Sequence, residues 1–434
     1  MFRGVMKRGL WLAGWMVFAS WSEARVSILA DKPDWSLLDK YREKMTKTEF
    51  ETLLNKVYAP REAWRKGWVE VTEKAARIRK EAGKDEWYEL PFGDDSDKAG
   101  DVRPVEYWRP AEELREAIGQ GVEKSGKTLS GARIALDAGH LGGKYAEMEN
   151  RNFAIEGSLV VKEGDLALAV AKMLAKRLRK KGALVSLVRE SARPVTSDRP
   201  ETLRKQALLW QNRIDGSTPP KRSKEEFEKL IVRRSEILFF RTAEIMARAR
   251  RVNEKLKPDF VVCIHLNAAP WPDPEKLSLV GRNDYHVLVN GAYMGGEVAL
   301  DNQRLDMLLK LLNRSHYEER ALAESMARAF AAGTGLPAFA YKGPNAVKVG
   351  VTPGVWGRNL MANRLYLCPV LFLEPYVANS KEVHARILAG DYEGLKEVAG
   401  KKRPSLLKEY ADAVEAALTA HLGRSEAPEV AEAE

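Results

Sequence analysis

The stretch Arg133-Ile134-Ala135-Leu136-Asp137-Ala138-Gly139-His140 is the part of the sequence that decides how the chain folds. Its apolar centre is typical of a short strand that is buried on both faces, and Gly139 marks its end. A histidine, His140, therefore follows directly on the carboxyl end of a buried strand. In open sheets of strands and helices, this is the edge at which binding and catalytic groups gather.

Similar strand-like runs recur along the chain and alternate with helical stretches. Apolar residues follow helical spacing from Asp165 to Lys181, where a basic last turn precedes Gly182, a good C-terminal cap. Further strands are expected at 183–188, 260–264, 285–289 and 369–373, and further helices at about 241–256 and 318–332. This alternation predicts an α/β fold, with a mainly parallel sheet flanked by helices.

The region before this domain, residues 25–130, is expected to be a helical accessory region. Apolar side chains follow helical spacing from Leu38 to Val57, and a second, highly charged helix is expected from Ala63 to Ala82. No pattern of chemically active residues stands out there. Its aromatic side chains are better explained as the core of a small helical unit than as a binding face.

Two kinds of segment interrupt or follow the main domain, which is expected over residues 131–400. Residues 197–240 are polar and helical, which indicates a lid or an insertion, whereas residues 270–283 and 341–364 have the composition of long loops. Behind the domain, a C-terminal helix is expected over 401–424, and an acidic, disordered tail over 425–434.

The first residues have the layout of a secretory signal peptide. Basic residues precede an apolar run from Leu10 to Trp21, and Ser22-Glu23-Ala24 supplies small residues for a cleavage site. The run is short for a bilayer span, so a signal peptide over 1–24 is favoured over a membrane anchor. The chain is therefore expected to be exported, without stable membrane insertion after the signal is removed.

Composition narrows the functional classes. A chain of 434 residues with 45% hydrophobic and 30% charged residues can bury a large core and is not of a disordered type. The net charge of +10 favours an anionic partner, but no basic cluster alternates with aromatics, which argues against nucleic acid. Cys263 and Cys368 do not form a disulfide framework; two buried thiols are favoured over a single bridge.

Four side chains could together form a hydrolytic metal site. His140, His265 and Glu374 each follow a predicted strand, and Glu163 precedes the helix that begins near Asp165. Two imidazoles and a carboxylate are a common zinc ligand set, and a second carboxylate could act as general base and acid. Taken singly, each residue also has a structural explanation, such as a packed histidine or an acid at a helix start. The residues alone therefore leave the metal site as one option among these.

The local sequence around these residues resembles the zinc-dependent N-acetylmuramoyl-L-alanine amidases. The resemblance covers about residues 131–385, in four blocks that occur in the family's order. The blocks are Ile134 to His140, Lys162 to Leu168, Arg241 to Ala269, and Pro369 to Glu374 with Asn379-Ser380 after it. The departures from the family pattern suggest a divergent member: an insertion after Lys144, the Pro375-Tyr376 pair, and the long inserts at 197–240 and 270–364.

The resemblance implies a function and a set of site residues. His140, Glu163 and His265 would bind Zn²⁺, and Glu374 would be the catalytic carboxylate. The reaction would be hydrolysis of the amide between N-acetylmuramic acid and L-alanine in peptidoglycan. Further candidates for substrate binding are Asn267, Glu149 and Arg151.

The same resemblance makes peptidoglycan the expected partner and places the exported chain in the periplasm or outside the cell, associated with the wall. An activator protein is conceivable but nothing in the sequence identifies one. Two alternatives stay open at this point. The chain could be a catalytically silent wall-binding or regulatory module, or a zinc peptidase that cuts within the stem peptide.

Overall fold

The structure is a computed structural model that describes residues 27–94, 107–155, 157–273 and 276–423. The predicted signal peptide and the predicted acidic tail lie outside the described residues. The strands, in chain order, are β1 (Val69–Val71), β2 (Ala75–Arg79), β3 (Trp87–Pro91), β4 (Arg133–Ala138), β5 (Asn152–Phe153), β6 (Val161–Lys162), β7 (Leu184–Leu187), β8 (Phe260–Ile264), β9 (Tyr285–Val289), β10 (Val347–Lys348), β11 (Val355–Gly357), β12 (Val370–Pro375), β13 (Lys396–Val398) and β14 (Lys401–Arg403).

The α-helices are α1 (Lys47–Leu53), α2 (Glu62–Arg65), α3 (Ala111–Ser125), α4 (Tyr145–Met148), α5 (Glu163–Lys180), α6 (Arg204–Asp215), α7 (Lys224–Ile237), α8 (Glu244–Arg250), α9 (Gly295–Val298), α10 (Asp301–Leu312), α11 (Ser315–Thr334), α12 (Met361–Leu365), α13 (Lys381–Leu388) and α14 (Leu406–Leu422). Short 3₁₀ or π-helical segments cover Trp35–Tyr41, Leu54–Tyr58, Pro200–Leu203, Leu238–Ala243 and Arg251–Leu256.

A seven-stranded sheet organises the main domain, in the order β10-β11-β9-β12-β8-β4-β7. Strands β7, β4, β8 and β12 are parallel neighbours, and β11 is parallel to β9. Antiparallel pairing occurs between β9 and β12 and between β10 and β11. The predicted fold class, α/β with a mainly parallel sheet flanked by helices, is therefore confirmed.

Both faces of the sheet are buried, which explains why the strands read as continuous apolar runs. Side chains of Ile134 and Leu136 pack with α5, α11 and α14 on one face. Ala135, between them, points to the other face and packs with Ala249 and Val252. This alternation within one strand is the period of two that a sheet imposes.

The N-terminal region contains helices, as expected, but the predicted helix from Ala63 to Ala82 is wrong. Only α2 is helical there, and β1 and β2 pair with β3 in an antiparallel sheet. The reason is a period of two: Ala76 and Ile78 are buried, and Arg77 between them faces Glu70 and Glu89 on the neighbouring strands. Such cross-strand charge pairs suit a sheet as well as charged runs suit a helix.

The N-terminal unit packs on the main domain through a separate apolar cluster. Phe50, Leu54 and Ile78 share this cluster with Leu305 and Leu308 of α10. The contact explains the buried aromatic residues of the region as core, as predicted. It also fixes the unit on the side of α9 and α10, whose residues follow β9 in the chain.

Two interrupting segments differ from expectation in detail. Residues 341–364 are not only a loop, because they contain β10, β11 and most of α12. Residues 197–240 form the helical pair α6 and α7, which packs against Leu141 and Tyr145.

Cys263 and Cys368 are both buried and unpaired, as the apolar context predicted. Among the described helices, none combines the length and apolar character that crossing a bilayer requires.

Candidate metal centre

The topology brings the predicted metal ligands to one edge of the sheet. His140 lies two residues beyond the end of β4, and His265 directly follows β8. These strands are parallel neighbours, with Ala138 opposite Ile264, so their carboxyl ends meet at the same place. Glu163 is the first residue of α5, which packs across this part of the sheet.

One ligand atom from each of His140, Glu163 and His265 lies within 4.8 Å of the others. A carboxylate oxygen of Glu163 is 3.3 Å from Nε2 of His140 and 3.3 Å from Nδ1 of His265. The two imidazole rings are nearly perpendicular, at 83°, with their centroids 4.9 Å apart. Three nitrogen or oxygen donors thus converge on one small volume.

The backbone next to His140 has almost no freedom to change. A Cβ atom at Gly139 would lie 2.2 Å from Cε1 of His265, so only glycine fits beside that ring. His140 itself has a φ of 54°, a left-handed conformation that is unfavourable for residues other than glycine. Strain of this kind persists only where the surroundings hold it in place.

A second carboxylate holds the His140 ring. Oε2 of Glu149 is 2.8 Å from Nδ1 of His140, and its other oxygen accepts a hydrogen bond from the backbone N–H of Leu141 at 3.1 Å. The Glu149 side chain is buried behind the ring. A carboxylate in this position fixes which ring nitrogen carries the proton and leaves Nε2 free to bind a metal.

Two buried arginines tie the loop at His140 and the start of α5 together. The Arg248 guanidinium donates to Oδ1 of Asp137 at 2.9 Å and to the backbone oxygens of Ala138 at 2.9 Å and His140 at 3.0 Å. Arg189 donates to the backbone oxygen of Gly164 at 2.8 Å and to that of Gly139 at 3.3 Å. The strained turn at His140 and the start of α5 are therefore linked by charge-assisted hydrogen bonds.

His265 is held by packing and by one distant side chain. Its ring stacks on Phe372 of β12, with centroids 4.0 Å apart and planes tilted by 21°. Its backbone oxygen accepts a hydrogen bond from the hydroxyl of Tyr410, on α14, at 3.0 Å. The C-terminal helix thus contributes directly to the position of a predicted ligand.

Glu374 lies on the strand beside His265. It is two residues after Phe372, and because side chains alternate along a strand, both lie on the sheet face that carries the His265 ring. Burial raises the pKa of Glu374 to about 7; the nearby His265 opposes the rise and Glu163 adds to it. A bound cation would lower that pKa. A carboxylate that titrates near neutral pH suits general acid–base work.

The protonation states suit metal binding. Burial lowers the pKa of His140, although Glu163 and Glu149 oppose the effect. Burial alone would raise the pKa of Glu163, but His140, His265 and Arg151 lower it to about 2. A neutral imidazole and an ionised carboxylate are the forms that bind a metal. The donor set of two imidazoles and one carboxylate therefore fits zinc with one position left for water or substrate.

The other predicted site residues have different surroundings. Arg151 is partly exposed, and its guanidinium lies 3.8 Å from Oε2 of Glu163, so it reaches the edge of the site. Asn267 accepts a hydrogen bond from the backbone N–H of Ala268 at 2.8 Å, which stabilises its own loop. Helices α6 and α7 pack against Leu141 but leave His140 partly exposed, with 22% of its side chain accessible.

Several residues that support the site could not be recognised from the sequence. Phe372 and Tyr410 carry no signal in sequence, because each acts through a contact with a residue more than a hundred positions away. Glu244 accepts hydrogen bonds from the backbone N–H groups of Val195 and Thr196 and from Arg248. A glycine directly before the histidine was the one local sign that the turn at His140 is tightly packed.

Comparison with known proteins gives no match by sequence: no family model and no curated protein matches this chain. Solved structures do match. One is the apo N-acetylmuramyl-L-alanine amidase Ami1 from Mycobacterium abscessus, at 16% identity and a TM-score of 0.35, covering 68% of this chain and 99% of that one. Another is the amidase AmiC2 of Nostoc punctiforme, at 15% identity and a TM-score of 0.32, covering 68% of this chain and 96% of that one.

A third match is the CwlD amidase from Clostridioides difficile, solved in complex with the GerS lipoprotein, at 12% identity and a TM-score of 0.34. It covers 67% of this chain and 94% of that one. The solved structures that this chain resembles are N-acetylmuramoyl-L-alanine amidases from several bacteria, the family that its four sequence blocks resemble.

Proposed function

We propose that this chain is a zinc-dependent amidase that hydrolyses the bond between N-acetylmuramic acid and L-alanine in peptidoglycan. The observation that supports it most is the convergence of His140, Glu163 and His265 within 4.8 Å, on the sheet edge where Glu374 also lies. The choice of this amide among other hydrolysable bonds comes from the four sequence blocks. The catalytic domain would span residues 131–400, with residues 197–240 as an insertion.

The ligands would be the Nε2 atom of His140, the carboxylate of Glu163 and a ring nitrogen of His265. A bound zinc ion supplies Lewis acidity, which polarises a carbonyl group and favours deprotonation of water. Glu149 contributes by holding His140 in the tautomer that presents Nε2 to the site. Arg248 and Arg189 contribute by keeping the turn at His140 and the start of α5 in register.

Glu374 would carry the proton. Its carboxylate takes a proton from the attacking water and then delivers it to the nitrogen of the departing L-alanine. Burial raises the pKa of this carboxyl above that of an ordinary glutamate in the metal-free site, which favours the delivery of a proton to the leaving nitrogen. Arg151, which is partly exposed beside Glu163, would face the substrate.

A covalent mechanism through cysteine does not fit the described residues. Cys263 and Cys368 are both buried, and burial raises the pKa of each thiol above its usual value. A reactive cysteine needs the opposite, an exposed and electropositive setting that favours the thiolate. Direct attack by water therefore agrees better with this site.

The proposal includes export, with the signal cut after Ala24 and peptidoglycan as the partner outside the cytoplasm. Amino-terminal sequencing of the protein recovered from its native host tests this part separately. A mature protein that begins at Arg25 is expected, whereas a protein that still begins at Met1 would contradict export by a cleaved signal.

Digestion of purified peptidoglycan tests the reaction. The zinc-loaded chain should expose new L-alanine amino termini and leave the glycan strands intact. New amino termini within the stem peptide would assign a peptidase instead, and new reducing sugar ends would assign a glycosidase. An intact wall after prolonged incubation, with zinc bound, would indicate a silent binding module and reject the amidase.

A further inference from the structure

A cleft with a volume of about 420 Å³ opens beside the metal centre. One wall is the loop after β4, at Gly142 and Lys144, and the other follows β7, at Arg193 and Arg199. Since β4 and β7 are parallel neighbours, both walls lie at the edge of the sheet that carries the metal ligands. Gly142 is two residues after His140, so their Cα atoms are within about 8 Å of each other.

The cleft is strongly basic. Lys144, Arg193 and Arg199 line it and are exposed, and none of them forms an ion pair with a carboxylate within the described part of the chain. Two nearby acids are engaged with the loops themselves: Asp165 accepts from the backbone N–H of Gly143 at 2.9 Å, and Asp198 from the hydroxyl of Thr196 at 3.1 Å. Three cations that converge without acidic partners attract an anion.

The arginine wall is fixed relative to the metal centre. The Arg199 guanidinium donates to the backbone oxygens of Thr196 at 3.1 Å and Asp198 at 2.5 Å. Glu244 accepts from the backbone N–H of Thr196 at 3.0 Å and from Arg248, which in turn donates to the backbone oxygen of His140. One buried carboxylate thus anchors both the cleft and the turn at the metal centre, so their spacing is preset.

We propose that this cleft is a subsite for the carboxylates of an acidic peptide on the alanine side of the amide that is cut. The inference rests on the proposed function, because the scissile amide must lie at Glu374 for the peptide to reach the cleft. The volume of the cleft lies within the range of small-ligand pockets. Arginine pairs well with carboxylates through parallel hydrogen bonds. Substrates with free carboxyl groups would be preferred over amidated ones.

Binding of a non-hydrolysable fragment tests the subsite without any reaction. The probe is the dipeptide L-alanyl-D-glutamic acid, titrated calorimetrically into the full chain, beside the same dipeptide with its carboxyl groups amidated. The R193Q/R199Q double variant should bind the acidic dipeptide at least about tenfold more weakly, which corresponds to loss of a charged hydrogen bond. The amidated dipeptide should bind the unaltered chain about as weakly as the acidic one binds the variant.

Two further variants separate a local effect from a general one. R193Q alone should also weaken binding, and the Arg193 side chain makes no hydrogen bond within the described residues that its loss could disturb. The matched control K172Q/R320Q removes two exposed cations that do not line the cleft, and it should bind the dipeptide like the unaltered chain.

Equal affinity of the unaltered chain and R193Q/R199Q for the acidic dipeptide would overturn the subsite, as would an equal loss in the control. A double variant that keeps dipeptide binding but loses binding of a glycerol-phosphate polymer would also overturn it, since the cleft would then take phosphate. The proposed function fails separately, when the unaltered, zinc-loaded chain leaves peptidoglycan uncut.

Discussion

The candidate metal centre and the basic cleft lie side by side on one sheet edge but are built in opposite ways. At the candidate metal centre most polar groups are buried, and His140, Glu149, Glu163 and Arg248 are held by hydrogen bonds or ion pairs. In the cleft, Lys144, Arg193 and Arg199 are exposed and have no acidic partner within the described residues. The first region is built for fixed geometry, and the second for attraction at a distance.

This difference predicts how each region tolerates change. A small alteration at the metal centre leaves a buried group unpaired or forces a clash, and both are costly. The Arg193 side chain makes no hydrogen bond within the described residues, so loss of its charge should affect binding but not folding. The variants below test this contrast, from the largest expected effect to the smallest.

Removal of the proposed proton carrier, Glu374, should have the largest effect on the rate of hydrolysis. Glu374→Gln keeps the shape of the side chain and removes the base, so turnover should fall by about 10²–10⁴-fold while zinc content and folding are retained. The measurement is release of L-alanine amino termini from purified wall, with zinc determined in the same samples.

The matched control for this change is Glu147→Gln, an exposed carboxylate on α4 close to the His140 loop. It should leave turnover unchanged. Near-normal turnover of Glu374→Gln would show that Glu374 is not the base. A large loss of turnover in Glu147→Gln would assign that role to Glu147. If Glu374→Gln loses zinc, the ligand assignment itself is wrong.

A single methyl group should disrupt the metal centre. Gly139→Ala places a Cβ atom 2.2 Å from the His265 ring, so the ring or the strained turn must move. Zinc affinity should fall by more than the roughly 100-fold that loss of an outer hydrogen-bond partner costs. Competition with a chromophoric chelator measures it. Gly119→Ala, in α3 where a Cβ meets nothing within 4 Å, should bind zinc normally.

Loss of the carboxylate behind His140 should have an intermediate effect. Glu149→Gln weakens the hydrogen bond to Nδ1 and allows the wrong tautomer, so zinc affinity should fall by about 10–100-fold. The same chelator assay applies. Glu190→Gln, which removes an exposed partner of Arg251, is the control and should have no effect. Unchanged affinity in Glu149→Gln would mean that Glu149 does not orient the ligand.

The smallest effect is expected at Tyr410. Tyr410→Phe removes the hydroxyl that donates to the backbone oxygen of His265, which should cost about 1 kcal/mol in unfolding free energy. Denaturant unfolding measures this cost. Tyr392→Phe removes a similar bond to a backbone oxygen on the β13–β14 side of the molecule. Only Tyr410→Phe should also weaken zinc binding. An equal zinc affinity in both variants would show that α14 does not help to position His265.

The sequence could point to the candidate site residues because their signals are local. His140 and Glu374 come at the ends of apolar runs, and Glu163 opens an amphipathic helix. The parallel sheet then places chain-distant residues together without further information. The same reasoning failed at Ala63 to Ala82, where charged residues alternate with small apolar ones and short strands pair through cross-strand charges.

What the sequence could not supply is contact between distant residues. The hydrogen bond from Tyr410 to His265 joins positions 145 residues apart, and the one from Arg248 to His140 joins positions 108 apart. No periodic pattern in the sequence marks either contact. The Glu149 contact is only nine residues from His140, but it depends on an irregular turn whose shape is set by the buried network.

Zinc stoichiometry is the most direct test of the central claim, that His140, Glu163 and His265 form one metal centre. Elemental analysis of the purified full chain should find one zinc per chain, and His265→Ala should lose most of it because two ligands make a poor site. His421→Ala, a histidine on α14 outside the ligand group, should keep one zinc. Full zinc content in His265→Ala would contradict the account.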